Sequence, residues 1–423
     1  MDKRVKELVD FTSEKWGLEN YYLHTYNFYR KLNSFNETIY TLTMEWFPSH
    51  ITDWVNEDYN PDGTASIDLN VNSRQFESVI FVGGKSYSNK NLFHSLKTND
   101  IIKWIEKETG LKYGCQFELK KEEDGEFYFQ SSIGGIAVSP CGTIEIKVDQ
   151  VGKMTFFSLY GKFPSKETLV DENFSLNLDD LGQIVKDQLE LIEYPVNKQN
   201  RIIPIYVIEE IFVRNDLSVI PFDFDRGKFK LKIKENIQWQ PSNTRPSFKR
   251  TLIGPLNEDF SIDQAFSCEP HPDLLLISDD EITKCIIGVR DFLCSVFPKD
   301  SGKWLVETLH RDEGYIIAIL KENDQERQVF QGKLKLFIDT TTFMVLNYID
   351  NKFKIEMIEG FQQIENISIN KDTAFETIKS KIELISLYVF DFEQNKFIRC
   401  GKIDSDFCVN ASNGEIIALA DYL

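Results

Sequence analysis

A chain of 423 residues can form two or three domains with sizeable cores. Its 42% hydrophobic and 13% aromatic content excludes intrinsic disorder, and 33 Phe with 16 Tyr suit pleated sheets. A net charge of −19 repels phosphate backbones and anionic bilayers, so nucleic acid is not an expected partner. No apolar run approaches the length that spans a bilayer, and the opening MDKRVKELVDFTSEKW has no apolar signal region. The seven cysteines, an odd number without a CxxC, suit a reducing compartment. The expectation is a cytoplasmic protein with free thiols and no membrane span.

Helical periodicity opens the chain at about Lys3–Trp16, with Val5, Leu8, Val9, Thr12 and Trp16 on one face. Strand-like runs follow at Tyr21–Arg30, Thr38–Phe47, Thr64–Asn70 and Phe76–Val82. A second helix at about Asn99–Thr109, stopped by Gly110, precedes strands up to Met154–Tyr160. A third, about Asp179–Leu191, leads to Ile202–Val213 and Ser218–Phe224. A fourth begins after Ser278 and a fifth spans about Asp372–Leu384, each followed by alternating segments. Cys285 and Cys294 fall on the apolar side of the fourth helix, and Cys400 and Cys408 fall on strands.

Two halves overlay. Gly142–Gly161 lies on Gly332–Asn351 at a constant offset of 190, with Asp149 on Asp339 and Met154 on Met344. VKDQLELI, within Ser175–Ile192, lies on IKSKIELI, within Ser368–Ile385, at an offset of 193. The first unit also overlays the last: Leu69 on Val409, Asn70 on Asn410 and Phe76 on Ile416. Each of these endings reads as strand, Asp or Asn, turn, strand, which is a hairpin. The repeat predicts an α+β fold of units with a helix on an antiparallel sheet, internally duplicated. Divisions fall at 1–90, at 91–235 with two units, at a Pro-containing linker 236–278, and at 279–423 with two units.

The helix openings SLNLDD and SINKDT, followed by strands and a V-D/N-x-x-x-G-like hairpin, resemble the PepSY-type small domain. The whole arrangement is similar to the YcdB/YcdC repeat family, uncharacterised bacillar proteins built of tandem PepSY-like units. Ser368–Leu419 carries the likeness best, with FETIKSKIELISLYVF and then KFIRCGKIDSDFCVNASNGEI. The resemblance implies an α+β fold and brings no catalytic residues. It also implies association with protease propeptides and inhibition, and with regulation at the cell envelope. The third unit departs by ending in RNDLSVIPFD, without the glycine turn.

Motifs that could carry chemistry are sparse. GGKS at Gly83–Ser86 lacks the upstream glycine of a phosphate loop, since Val79 stands there, so a hairpin turn is the simpler reading. CEPHPD groups Cys268, His271 and Asp273, types that bind zinc, but one short loop does not easily place four ligands tetrahedrally. WFPSH places Ser49 beside His50, a conceivable nucleophile and base, without a GxSxG elbow. The expected function is non-catalytic binding of a protein or peptide partner, with a basic one suiting the acidic chain and no cofactor implied. The competing expectation is a hydrolase using His50 or His271 in a cleft between the duplicated halves.

Overall fold

The computed structural model describes residues 1–52, 59–93, 97–170, 172–221, 230–240, 248–254, 260–323, 332–361 and 366–421. The linker prolines Pro241, Pro246 and Pro255 lie outside these, as do the end of the strand expected at Ser218–Phe224 and the start of one expected at Gln328–Ile338, after the fourth helix.

Helix α1 (Lys3–Trp16) precedes β1 (Tyr21–Leu32), β2 (Thr38–Pro48), β3 (Ala65–Asn70) and β4 (Phe76–Phe81). Helix α2 (Thr98–Thr109) precedes β5 (Phe117–Glu123), β6 (Glu126–Ile133), β7 (Ile136–Ser139), β8 (Thr143–Val148) and β9 (Met154–Tyr160). Helix α3 (Gly182–Gln188) runs into β10 (Leu189–Val196), β11 (Arg201–Ile208), β12 (Ile211–Val213) and β13 (Val219–Pro221). After β14 (Leu231–Ile237) come α4 (Ile262–Ser267) and α5 (Asp279–Val296), then β15 (Trp304–Asp312), β16 (Tyr315–Glu322), β17 (Lys333–Asp339) and β18 (Val345–Asp350). Helices α6 (Lys352–Glu359) and α7 (Lys371–Ile378) precede β19 (Glu383–Asp391), β20 (Lys396–Asp404), β21 (Phe407–Asn410) and β22 (Ile416–Ala418). The fold is α+β, mostly sheet with few helices.

The chain forms two compact units. The first comprises Met1–Asn173, Asp259–His271 and Ser386–Cys400; the second comprises Phe174–Glu258, Pro272–Ile385 and Gly401–Leu423. In the first unit, β1, β2, β3, β4, β9, β8, β6 and β5 pair in that order, all antiparallel. Strand β7 pairs with the end of β6 and, in parallel, with Tyr388–Val389 of β19. Helix α1 starts because the Asp2 carboxylate takes the Arg4 N–H, and it stops at Gly17 in the left-handed region. Its apolar face lies in the core, where Trp16 meets Phe76 edge-on at 5.2 Å. Helix α4 lies inside the stretch expected to be a linker. Ser261 and Gln264 form its capping box, and Ala265 is fully buried in the same core.

In the second unit, α5 packs Cys285, Ile286, Val289 and Leu293 against the sheet β14-β15-β16-β17-β18. Its start is a capping box of Ser278 and Glu281. Burial pushes the Glu281 carboxyl up, but the Ser278 N–H and the Arg311 guanidinium outweigh it and hold the carboxyl below its usual range. Glycine at 288 is required by close approach, because a Cβ there would stand 2.1 Å from the Phe343 carbonyl oxygen. The other sheet of this unit is interleaved. The β10–β11 hairpin continues through β21 and β22, whereas β12 and β13 continue from Gly401–Ile403 of β20. The segments headed by α3 and α7 thus exchange their last hairpins around a shared core holding Val185, Ala374 and Ile378.

The third and fifth helices are shorter than their periodicity predicts, since LELI and IELI extend into β10 and β19. Ladder pairing, such as Leu189 with Ile208, overrides helical propensity there. Cys294 is half-buried rather than buried; Cys285, Cys400 and Cys408 are buried. Burial pushes the Cys285 thiol up to about 12 and the Cys408 thiol up to about 11.

One hairpin turn recurs. Asn70, Asp339 and Asn410 each donate their N–H five residues ahead, to Gln75, Met344 and Glu415. Each also accepts at its carbonyl from the residue four ahead, and Arg74, Phe343 and Gly414 at that place have positive φ. The side-chain oxygen takes the N–H two residues on, from Asn72, Thr341 and Ser412. At Asp149 the loop is one residue shorter, closing on Lys153 with Gly152 left-handed. The ungapped overlay of 142–161 on 332–351 therefore slips after the turn: Met154 pairs with Val148, whereas Val345, not Met344, pairs with Ile338. RNDLSVIP has this shorter backbone turn too, with Arg214 bonded to Ser218 and Leu217 at φ 67° where glycine is expected.

The Asp339 carboxylate accepts from the Thr341 and Thr342 N–H groups and the Thr342 hydroxyl. The Thr342 N–H is the main reason its carboxyl sits below the usual range. Asp339→Ala should lower stability by about 1–2 kcal/mol, read from the urea midpoint, and Asp339→Asn should recover most of it. A lowered folded pKa contributes fully above the unfolded value and fades as pH falls through the folded one. The Ala penalty should therefore shrink on acidification below about pH 4.

Candidate functional site

An unpaired strand edge exposes a row of main-chain donors and acceptors, and folded proteins commonly blunt such edges with charge, proline, bulges, shortness or a covering segment. In the first unit, β5 carries Glu118, Lys120, Lys121, Glu122 and Glu123. In the second unit, β13 and β22 are three residues long, and β10 carries Glu190, Glu193 and Pro195. Strand β14 carries Lys232, Lys234 and Glu235 and breaks register between Lys232 and Glu235. On β18 the Leu346 carbonyl takes the Thr251 N–H of a covering segment.

Strand β1 differs. It is 12 residues long, has one irregularity at His24, and carries no Lys, Arg, Asp or Glu before Arg30. Among the described residues it pairs with β2 alone. Its outward groups follow from the register. The Tyr40 carbonyl is taken on the β3 side by Val71, so Arg30, opposite Tyr40, is not in a hydrogen-bonded pair with it. By alternation, Tyr26 and Phe28 turn N–H and C=O away from β2.

The two faces of this edge differ in chemistry. Leu23, Tyr26 and Phe28 are half-buried against the core, leaving an apolar shelf. On the opposite face Asn27, Thr43, Asp68 and Ser78 stand side by side across β1 to β4. The Asp68 carboxylate accepts from the Thr43 hydroxyl at 2.6 Å and the Ser78 hydroxyl at 2.9 Å. The Glu45 carboxylate accepts from the Asn60 amide at 2.9 Å and from Thr25 at 3.4 Å. Glu77 takes the Thr41 hydroxyl and the Lys31 ammonium. Tyr22 and Tyr29 are exposed.

The residues singled out in the sequence do not assemble into a centre. His50 is exposed with its ring edge-on to Tyr87 at 4.7 Å, and Ser49 beside it is exposed. Cys268 is exposed, in the left-handed residue that ends α4. His271 is buried, with its main-chain N–H donating to the Thr38 hydroxyl. Asp273 belongs to the other compact unit, where its carboxylate accepts from the Gly314 N–H. No group of three or more His, Cys, Asp or Glu among the described residues could hold a metal ion. GGKS forms a short turn after β4 in which Gly83 and Gly84 have positive φ, and Lys85 pairs with Asp62. Sequence reasoning did not single out β1 as an edge; the signal was its long, nearly uncharged run YYLHTYNFY.

No family model matches the chain. No curated protein matches it. Among solved structures it is similar to the Bacillus megaterium YpeB C-terminal domain, at 9% identity and a TM-score of 0.22, covering 83% of this chain and 97% of that one. No helix among the described residues is long and apolar enough to cross a membrane.

His50→Ala should leave the urea midpoint within about 0.5 kcal/mol of the parent, as befits an exposed ring. His271→Ala empties a buried position and should cost about 1–3 kcal/mol.

Proposed function

We propose that this chain is a non-catalytic protein of duplicated, PepSY-like helix-on-sheet units, akin to the YcdB/YcdC repeat family, that binds an extended polypeptide. The recurrent Asx-started turns and the paired helix-to-strand segments at α3 and α7 support the duplication. The observation that carries the binding reading is the contrast between β1 and the other edges. The others are blunted along their length; on β1 the bulge at His24 and the charges at Arg30 and Lys31 lie toward its ends, and between them, among the described residues, it offers the main-chain groups of Tyr26 and Phe28. A strand added there gains main-chain hydrogen bonds, and side chains at alternate positions supply specificity. The hydrolase reading gains nothing from His50, which bonds to no carboxylate among the described residues, or from His271, which is buried.

The test uses synthetic decapeptides in which Val alternates with Lys, Thr or Glu, followed by fluorescence anisotropy. Phe28→Pro removes an outward donor and puts a ring in the path of an incoming strand, without removing a bond to β2. Phe28→Ala removes the same aromatic ring but keeps the N–H. At least one peptide should bind, and the Pro variant should bind it about tenfold more weakly than the Ala variant. Equal affinity in the two variants, or binding of none of the peptides, would overturn the edge reading.

A further inference from the structure

The chemistry of the outer face at β1 points beyond edge pairing to the kind of segment that pairs. Resting on the edge reading above, we infer that the partner is an extended segment in which apolar residues alternate with Lys or Arg. Apolar side chains of an added strand fall beside Leu23, Tyr26 and Phe28, where they extend the core. The alternate side chains fall on the polar face, beside Thr25 and Asn27.

Glu45 sets the charge of those alternate positions. It stands on β2 directly opposite Thr25, so one short side chain separates it from the added strand. Two strand spacings, about 10 Å, lie between β2 and the added strand, a gap that a lysine and a glutamate side chain reaching toward each other can close. Glu45 is half-buried and is bonded by a hydroxyl and an amide, with no cation on it among the described residues. Asp68 is likewise bonded by two hydroxyls, and lies one strand deeper, where it adds to the field without touching the partner. Glu77 is neutralised by Lys31. A carboxylate already stripped of part of its water and given neutral donors gains most from an arriving ammonium or guanidinium. A Glu at the same place on the partner would meet uncompensated repulsion.

The measurement compares the Lys–Val and Glu–Val decapeptides at low and high salt on the full chain, on Glu45→Gln and on Asp68→Asn. Gln and Asn keep the shape: the amide oxygen keeps one of the two existing donors, and the amide NH2 donates to the remaining hydroxyl, which turns to accept it. The inference expects the Lys peptide to bind about tenfold more tightly at low salt and the preference to shrink as salt is added. Glu45→Gln should remove most of the preference, and Asp68→Asn a smaller part. Equal affinities for the two peptides, with Phe28→Pro still weakening both relative to Phe28→Ala, would overturn the charge inference and leave the edge reading standing. A Lys preference that survives Glu45→Gln would assign it to the general acidity of the chain and also overturn the inference. A preference lost in Glu45→Gln but indifferent to Phe28→Pro would overturn the edge reading instead.

Discussion

Main-chain hydrogen bonding constrains this protein at every level, because a mostly-sheet chain must find a partner or water for each peptide group. Within a sheet the ladder does this, and at each turn the same problem returns. At four of them the chain answers with one local device: an Asp or Asn whose side-chain oxygen holds the N–H two residues on, while its own main chain closes the loop. Where that side chain is replaced by Arg214, the loop keeps its backbone path and the cost moves to Leu217 in the left-handed region.

The same constraint shapes the interleaved part of the second unit. Strand β11 could have been followed in its sheet by β12, yet it takes β21, and β12 takes β20. The exchange ties the segments of α3 and α7 into one core, so neither can form its sheet without the other. Edges created by this arrangement are short or contain proline, as at β13 and β22. Against that background the long edge of β1, paired only with β2 among the described residues, stands out.

Legibility in the sequence followed the range of the interactions. Helix α1 matched its periodicity at both ends because its cap at Asp2, its stop at Gly17 and its buried face are all local. Ser278 likewise marked the start of α5. The ends of α3 and α7 were not legible, because LELI and IELI carry a helical pattern that pairing with the following strand converts to strand. The hairpin endings were legible to within one residue, the slip arising from the shorter loop at Asp149. Strand exchange leaves no local signal. Nor does a strand's position at an edge, which depends on what pairs beside it. CEPHPD and WFPSH drew attention through residue type alone; burial of His271 and the separation of Asp273 into the other unit could not be read from spacing.

Binding at β1 requires that the strand accept an added one. Amide hydrogen exchange over Tyr21–Leu32, with and without a saturating alternating Lys–Val peptide, addresses that directly. Slower exchange at Tyr26 and Phe28 on adding peptide, with the alternate amides of β1 already slow, is the predicted result. Unchanged exchange at Tyr26 and Phe28, with protection gained at another edge, would contradict it.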